Sequence, residues 1–272
     1  MTFIELMKYR LAHDARPQAK TLLIAAAISV ALWFIPFAEI LSYPFRIFVT
    51  FIHEGGHAIA ALLTGNSVQS LSVSMNGAGE TYTAQGGTFS QMFVSSAGYL
   101  GAMTFGALLL VLIRKALAAR IVLFASAGLI LVLTTIFGVA KPIIAGSWGS
   151  WTGIPFTFLA GVALSFGLYA VGRWTTERVA LFIVSMIAVQ CILNALLDLK
   201  TVFFLSSPFA PSVPNDAVNM ANATGVPAIV WAILWIAVAF GILLLALRLY
   251  VARRDRAFDD QQDLPFENKA EA

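Results

Sequence analysis

Long apolar runs alternate with short polar segments along most of the chain. The runs lie near residues 20–41, 44–64, 89–113, 119–140, 154–172, 179–205 and 226–250. Most of them have the roughly 20 residues that a helix needs to cross a hydrocarbon core of about 30 Å. Prolines and glycines lie at or near their ends, where a missing backbone donor does least harm. This pattern predicts an all-α polytopic membrane protein with about six to eight transmembrane helices.

One segment, at about residues 66–88, has a different pattern. Small polar residues alternate there with apolar ones, and Asn76-Gly77 is a dipeptide that favours the turn of a β-hairpin. We therefore expect a small β-hairpin or sheet between the second and third apolar runs.

The apolar runs are expected to form a single membrane domain over residues 20–250. Residues 1–19 are polar and basic, and residues 251–272 mix charged and amide side chains with few apolar ones, which is typical of a disordered tail. Seven spans would place most Lys and Arg residues on the side opposite the basic N-terminus, whereas an even number would place both basic termini together. Membrane orientation therefore stays open, and no pattern defines an oligomeric state.

Composition supports a lipid environment and excludes other classes. Hydrophobic residues make up 59% of the chain and charged residues 11%, against about 45–50% and about 25% in soluble domains. The formal charge of +3 is spread over loops and termini, without the basic patch that nucleic-acid binding needs. The single cysteine, Cys191, lies in an apolar run and cannot form an intramolecular disulfide. We expect the lipid bilayer as a partner, and no nucleic acid.

The second apolar run contains a candidate metal-binding motif. His53 and His57 enclose Glu54, Gly55 and Gly56 in the sequence H-E-G-G-H. On a helix, residues four apart lie one turn above the other, so both imidazoles can reach a single metal ion. Glu54 is then placed to act as the general base on a water that the ion activates. The motif therefore predicts a catalytic zinc site.

The depth of the motif in an apolar run strengthens this interpretation. An ionisable side chain at the centre of a span costs at least about 2.5 kcal/mol, and so indicates a function. The alternative is that Glu54 forms a buried ion pair with a protonated His53 or His57, as a helix contact or a proton relay. Gly55 and Gly56 fit both a metal site and a plain packing face, because they let another backbone approach closely.

Two histidines leave a zinc site incomplete, so a third protein ligand must come from elsewhere. Asp198 is the predicted ligand, because Gln190, Asn194 and Asp198 recur every four residues and form a polar stripe on an apolar helix. Asn194 could orient this aspartate or hold a substrate carbonyl. For Asp198 the alternative is helix-end pairing with Lys200 or interfacial solvation. For Asn194 it is plain interhelical hydrogen bonding. His13, the only other histidine, lies in the polar N-terminal segment.

An H-E-x-x-H motif in a membrane span, followed by a β-rich segment and an aspartate on a late span, resembles the site-2 protease family of intramembrane zinc metalloproteases. The resemblance covers about residues 44–205. It implies hydrolysis of a peptide bond within or beside the membrane, with zinc as the cofactor and a membrane protein or peptide as the substrate. It also implies that His53, His57 and Asp198 bind zinc and that Glu54 is catalytic. By resemblance, the expected location is a bacterial inner membrane.

Two further segments resemble motifs of this family, with departures. Ala97-Gly98-Tyr99-Leu100-Gly101 is similar to the segment A-G-P-L-A-N, with Tyr99 in place of the proline; Gly98 is thus a candidate for contact with substrate or with the metal ligands. The later family motif, N-x-x-P-x-x-P-L-D-G, is matched by Asn194 and Leu197-Asp198 without either proline or the final glycine. These departures indicate a divergent branch, similar to the compact bacterial and plant proteins grouped as peptidase-M-fifty-B-like.

The β-region suits the implied activity. A helical substrate must be unwound before its peptide bonds can be cleaved, and an exposed strand edge within Ser70 to Thr83 could hold it extended by β-augmentation. The alternative is a re-entrant plug or an interfacial loop without substrate contact. Two other functions stay open: a non-proteolytic membrane protein with a structural or partner-binding zinc site, and an ion- or proton-coupled carrier that uses His53, Glu54 and Asp198 as a relay.

Overall fold

A computed structural model of the chain describes residues 16–32, 34–37, 39–84, 86–114, 119–146, 153–207, 209 and 213–251. The helices in these ranges are α1 (Arg16–Ala31), α2 (Glu39–Leu63), α3 (Thr88–Arg114), α4 (Ala119–Ala145), α5 (Gly153–Trp174), α6 (Glu177–Leu205), α7 (Asp216–Thr224) and α8 (Ala228–Val251). The strands are β1 (Val68–Val73) and β2 (Gly79–Thr83). His13 and the predicted C-terminal tail after residue 251 lie outside the described residues.

The predicted fold class is confirmed, because each of the seven apolar runs forms a helix. Among the described residues, α3, α4, α5, α6 and α8 are long and apolar enough to cross a membrane. Helix α1 contains a shorter apolar stretch, and α2, which carries the H-E-G-G-H motif, is not among the five. The chain is an integral membrane protein.

The predicted β-hairpin is also confirmed. Strands β1 and β2 are antiparallel neighbours, with Leu71 opposite Thr81 and Val73 opposite Gly79. The turn between them is wider than two residues, since the Ser74 N–H donates to the Ala78 carbonyl at 2.8 Å. Gly77 has a φ of 82°, a conformation in which glycine carries little strain.

The two edges of this sheet have different surroundings. On β1, the Val73 N–H donates to the Thr157 hydroxyl of α5 at 2.9 Å, and both residues are buried. Strand β2 has no second strand beside it in the described part of the chain. Its residues instead line a cavity, so β2 is the free edge.

Close packing between α2 and α3 fixes the position of the motif. A Cβ at Gly56 would collide with the carbonyl oxygen of Ala97, so the two backbones touch at this level. About two helical turns away, the Phe48 and Phe105 rings pack with centroids 5.9 Å apart. The paired glycines therefore do serve helix packing, as the sequence suggested for one of their two roles.

Helix α4 supports the same region from the other side. Its segment Leu133–Ala140 is wound as a π-helix, a form that is rare and often found near functional sites. The Leu133 side chain packs so closely on Gly55 that a Cβ at Gly55 would lie only 2.6 Å from it. Both glycines of the motif are thus enclosed, Gly55 by α4 and Gly56 by α3.

Candidate metal centre

The two motif histidines face each other on one side of α2. His53 Nε2 and His57 Nε2 are 3.1 Å apart. His57 Nδ1 lies 2.7 Å from the Val94 carbonyl oxygen, and because a carbonyl can only accept, Nδ1 is the protonated nitrogen. In a neutral imidazole this leaves the lone pair on Nε2, the state that binds a metal.

The third group at this position is Asp216. Its Oδ2 lies 3.5 Å from His57 Nε2 and 3.8 Å from His53 Nε2. Within the described residues, His53, His57 and Asp216 are the one group of three or more His, Cys, Asp or Glu side chains with ligand atoms all within 4.8 Å of one another. Two imidazoles and one carboxylate are a donor set that suits a catalytic zinc ion.

Asp216 reaches the histidines from the short helix α7. Asn215 caps this helix by accepting hydrogen bonds from the Ala217 and Val218 N–H groups at 2.9 and 3.1 Å. Asp216 is therefore the first residue of the helix, where the dipole favours a negative charge. Burial alone would raise the pKa of the Asp216 carboxyl, but the neighbouring histidines hold this pKa below its ordinary value.

Gly98 of α3 provides space between the two histidines. A Cβ at this position would lie 2.5 Å from His57 Nε2 and closer still to His53 Nε2. Any larger residue would fill the volume that faces both ligand nitrogens. Gly98, a candidate for contact with substrate or with the metal ligands, thus lies directly beside both histidines, and the residues present fit a metal ion.

Glu54 is buried beside the same site and is held by the sheet. Its side chain is 5% exposed, and its Oε2 accepts a hydrogen bond from the Thr81 hydroxyl at 2.7 Å. A Cβ at Gly79 would lie 2.6 Å from Glu54 Oε1, so β2 passes directly over this carboxylate. The hairpin therefore fixes the orientation of Glu54.

Two cavities flank the centre. The larger, of about 710 Å³, is lined by the histidines, Glu54, Asp216 and the whole of β2. The smaller, of about 320 Å³, shares His53 and Glu54 with the first and extends to Arg46, Asn194 and Asp198. The centre is thus accessible from two sides, one of which is the free strand edge.

The structure does not bring Asp198 into the ligand group. Asp198 lies on α6, lines the smaller cavity, and is near enough to Arg46 and His53 to interact with them electrostatically. Asn194 directs its Nδ2 into its own helix, where it donates to the carbonyl and to Oε1 of Gln190 at 2.8 and 3.0 Å. The polar stripe faces the protein interior only in part, since Gln190 is buried, Asn194 is partly buried and Asp198 is exposed. The carboxylate next to the histidines comes from Asp216 instead.

The sequence did contain a signal for Asp216. Pro211-Ser-Val-Pro214-Asn215-Asp216-Ala217 agrees with the P-x-x-P-L-D-G part of the later family motif at both prolines and at the aspartate. Asn215 and Ala217 replace the leucine and the glycine, and Pro208 stands where the motif has asparagine. The segment that ends at Asp198 has neither proline, so the family motif aligns better with residues 208–217.

The fold and this side-chain group define a class, the polytopic membrane proteins with an H-E-x-x-H site. A family model described as Peptidase M50B-like matches residues 22–246, and the chain belongs to this family. Membership agrees with the resemblance to the site-2 protease family. Peptidases of this family are generally zinc-dependent. Comparisons with curated proteins and with solved structures found no match.

Proposed function

We propose that this protein is an intramembrane zinc endopeptidase that cleaves peptide bonds of membrane-embedded or membrane-adjacent substrates. The observation that carries this proposal is the convergence of His53, His57 and Asp216 beside a buried glutamate. An ion pair for helix packing would need only one histidine and one carboxylate. Three converging ligand atoms, with the space beside both histidine nitrogens left open by Gly98, suit a cation better.

The proposed ligands are His53, His57 and Asp216, which would hold zinc with one position left for a small molecule. A bound zinc ion supplies Lewis acidity, which lowers the pKa of water and polarises a carbonyl group. Val94 keeps the proton of His57 on Nδ1, so that Nε2 is ready to bind. Asp198 is not a ligand in this proposal.

Glu54 is the proposed general base. It takes a proton from the attacking water and passes it to the leaving nitrogen of the cleaved peptide bond. The Thr81 hydroxyl holds the carboxylate, which is also buried among α2 and β2 and so has little freedom to turn away. Asn194 and Arg46 lie farther along the smaller cavity and are not needed for this step.

The free edge of β2 is the proposed binding site for an unwound substrate. Residues Gly79 to Thr83 all line the larger cavity, together with Glu54 and the ligand group. An extended peptide that pairs with this edge would run past Glu54 and place successive peptide bonds close to the centre. The buried edge of β1 cannot serve this purpose, because α5 covers it.

Because the chain is a membrane protein, it can reach only substrates in or beside the membrane. We propose that substrates are transmembrane segments or peptides at the membrane surface, and that the enzyme works in a bacterial inner membrane. Both statements rest on the family and on the apolar helices. A zinc site used only for structure or partner binding is the competing function, and the following experiment separates the two.

The experiment uses purified full-length protein in detergent and a peptide library derived from membrane proteins, with new termini identified by mass spectrometry. Glu54→Gln should lower the rate of cleavage by about 100- to 10,000-fold, the usual contribution of a general base. Glu177→Gln is the control, since Glu177 lies at the exposed start of α6. Both variants should keep zinc. Zinc binding without any cleavage by the wild type would refute the proposal and leave a non-proteolytic zinc protein.

A further inference from the structure

Tyr99 stands between two of the proposed ligands. It follows Gly98 on α3 and is 7% exposed. Its ring meets the His53 ring edge-on, with centroids 4.6 Å apart and an angle of 77° between the planes. Tyr99 and Asp216 line the same cavity, and their side chains are near enough to interact electrostatically. One side chain therefore contacts a proposed ligand from α2 and lies near a proposed ligand from α7.

The position of Tyr99 is fixed from behind by α8. The Trp235 ring packs on the Tyr99 ring with centroids 5.5 Å apart, and Trp235 is only 2% exposed. Trp235 Nε1 donates to the Ser96 hydroxyl at 3.0 Å, and Ser96 donates to the Met92 carbonyl at 2.8 Å. The indole is thus anchored to α3 itself, so the tyrosine ring has little room to rotate away from His53.

A carboxylate ligand on a short helix needs such support. Helix α7 has nine residues, and its packing on α3 and α8 sets the position of Asp216. An aspartate can turn about its terminal bond, and a second hydrogen-bond donor on the carboxylate removes that freedom. Tyr99 has the only hydroxyl among the residues whose rings contact His53 in the described part of the chain.

We infer that Tyr99 is a positioning residue of the metal centre: its hydroxyl orients the Asp216 carboxylate, and its ring orients the His53 imidazole. This inference rests on the proposed function, because it assumes that Asp216 and His53 bind the metal. It adds a residue that a proline at the same position, as in the related family segment, could not replace, since proline offers no hydroxyl and no aromatic ring.

The test measures metal binding and not proteolysis. Tyr99→Phe keeps the ring and removes the hydroxyl, and Tyr169→Phe is the matched control, because Tyr169 packs on Phe124 and Trp174 away from the centre. The dissociation constant for Zn²⁺ is measured by chelator competition in detergent. Tyr99→Phe should raise it about 10- to 100-fold, as for other residues that support a metal ligand. Tyr169→Phe should leave it unchanged.

A double-mutant cycle shows whether the effect passes through Asp216. In an Asp216→Ala background the hydroxyl has no carboxylate to orient, so Tyr99→Phe should cause no further loss of zinc affinity. The visible absorption of the Co²⁺-loaded protein should change with Tyr99→Phe and not with Tyr169→Phe, because it reports the ligand geometry.

The possible outcomes distinguish the positioning role of Tyr99 from the existence of the metal centre. Wild-type zinc affinity in Tyr99→Phe, or the same loss in both backgrounds, overturns the positioning role and leaves the metal centre intact. Absence of zinc binding in the wild type overturns the centre and the positioning role together. A thermal unfolding scan of each variant shows that a loss of affinity is not a loss of fold.

Discussion

Replacing Asp216 with alanine is the most direct perturbation of the centre, because it removes one of three converging ligand atoms. Asp198→Ala is the matched control: it also deletes a carboxylate beside His53, but one outside the ligand group. Under the proposed function, Asp216→Ala loses zinc and Asp198→Ala keeps it. The ligand set predicted from the sequence requires the opposite result.

The size of the effect follows from the number of ligands. Structural zinc sites with four protein ligands bind with about 10–16 kcal/mol, or about 2.5–4 kcal/mol per ligand. Losing Asp216 should therefore weaken zinc binding by about two to three orders of magnitude. No other described His, Cys, Asp or Glu side chain belongs to the group, so none can take its place. The cap of α7 by Asn215 remains, which favours retention of the fold.

The assay is a zinc titration of detergent-purified protein against a chelator of known affinity, with metal analysis of each sample after dialysis. Wild type and Asp198→Ala should bind stoichiometric zinc with similar affinity, and Asp216→Ala should be depleted. Retention of wild-type affinity by Asp216→Ala together with loss in Asp198→Ala would refute the assignment. Equal loss in both would mean that the two aspartates share the ion.

Two further predictions concern neighbours of the centre. Gly98→Ala should abolish zinc binding, because its Cβ would fill the space between the ligand nitrogens, whereas Gly101→Ala on the same helix meets only an ordinary contact at 3.6 Å and should bind normally; the same zinc titration checks both. Thr81→Val removes the hydrogen bond to Glu54, worth about 1.5–3 kcal/mol for a charged acceptor, and should slow cleavage about 10- to 100-fold with zinc retained. Thr135→Val is its control, because Thr135 is exposed on α4 and its hydroxyl donates to the Leu131 carbonyl of its own helix at 2.8 Å. Equal rates for the two valine variants would exclude a role for the Thr81 hydroxyl.

The sequence was sufficient for most of the fold, for identifiable reasons. Helix length in a membrane is set by bilayer thickness, so each apolar run predicts a helix almost on its own. The hairpin was equally readable, since strand alternation and Asn76-Gly77 are local signals. The packing of the sheet is the exception. Thr157 of α5 covers β1, and no local sequence pattern predicts such a contact between distant parts of the chain.

Only part of the candidate site could be predicted from the sequence. His53, Glu54 and His57 follow from a four-residue spacing on one helix, which the sequence displays directly. The third ligand depends on which later element folds back onto α2, and that is a property of tertiary packing. The polar stripe of α6 gave Asp198 the more conspicuous pattern, whereas Asp216 lies in a polar segment outside the apolar runs. The proline spacing before Asp216 was the single local clue.

Thr81 contributes to two proposed functions, substrate pairing and the orientation of Glu54. Its backbone belongs to the free strand β2, where we propose that a substrate pairs, and its hydroxyl holds the carboxylate of Glu54. A peptide that adds to this strand would stiffen it, and a stiffer strand would hold the hydroxyl, and so the general base, more firmly. Under the proposed function, substrate pairing and alignment of the base would thus be coupled through Thr81. Such a coupling would favour cleavage of segments that can become extended over cleavage of segments that stay helical.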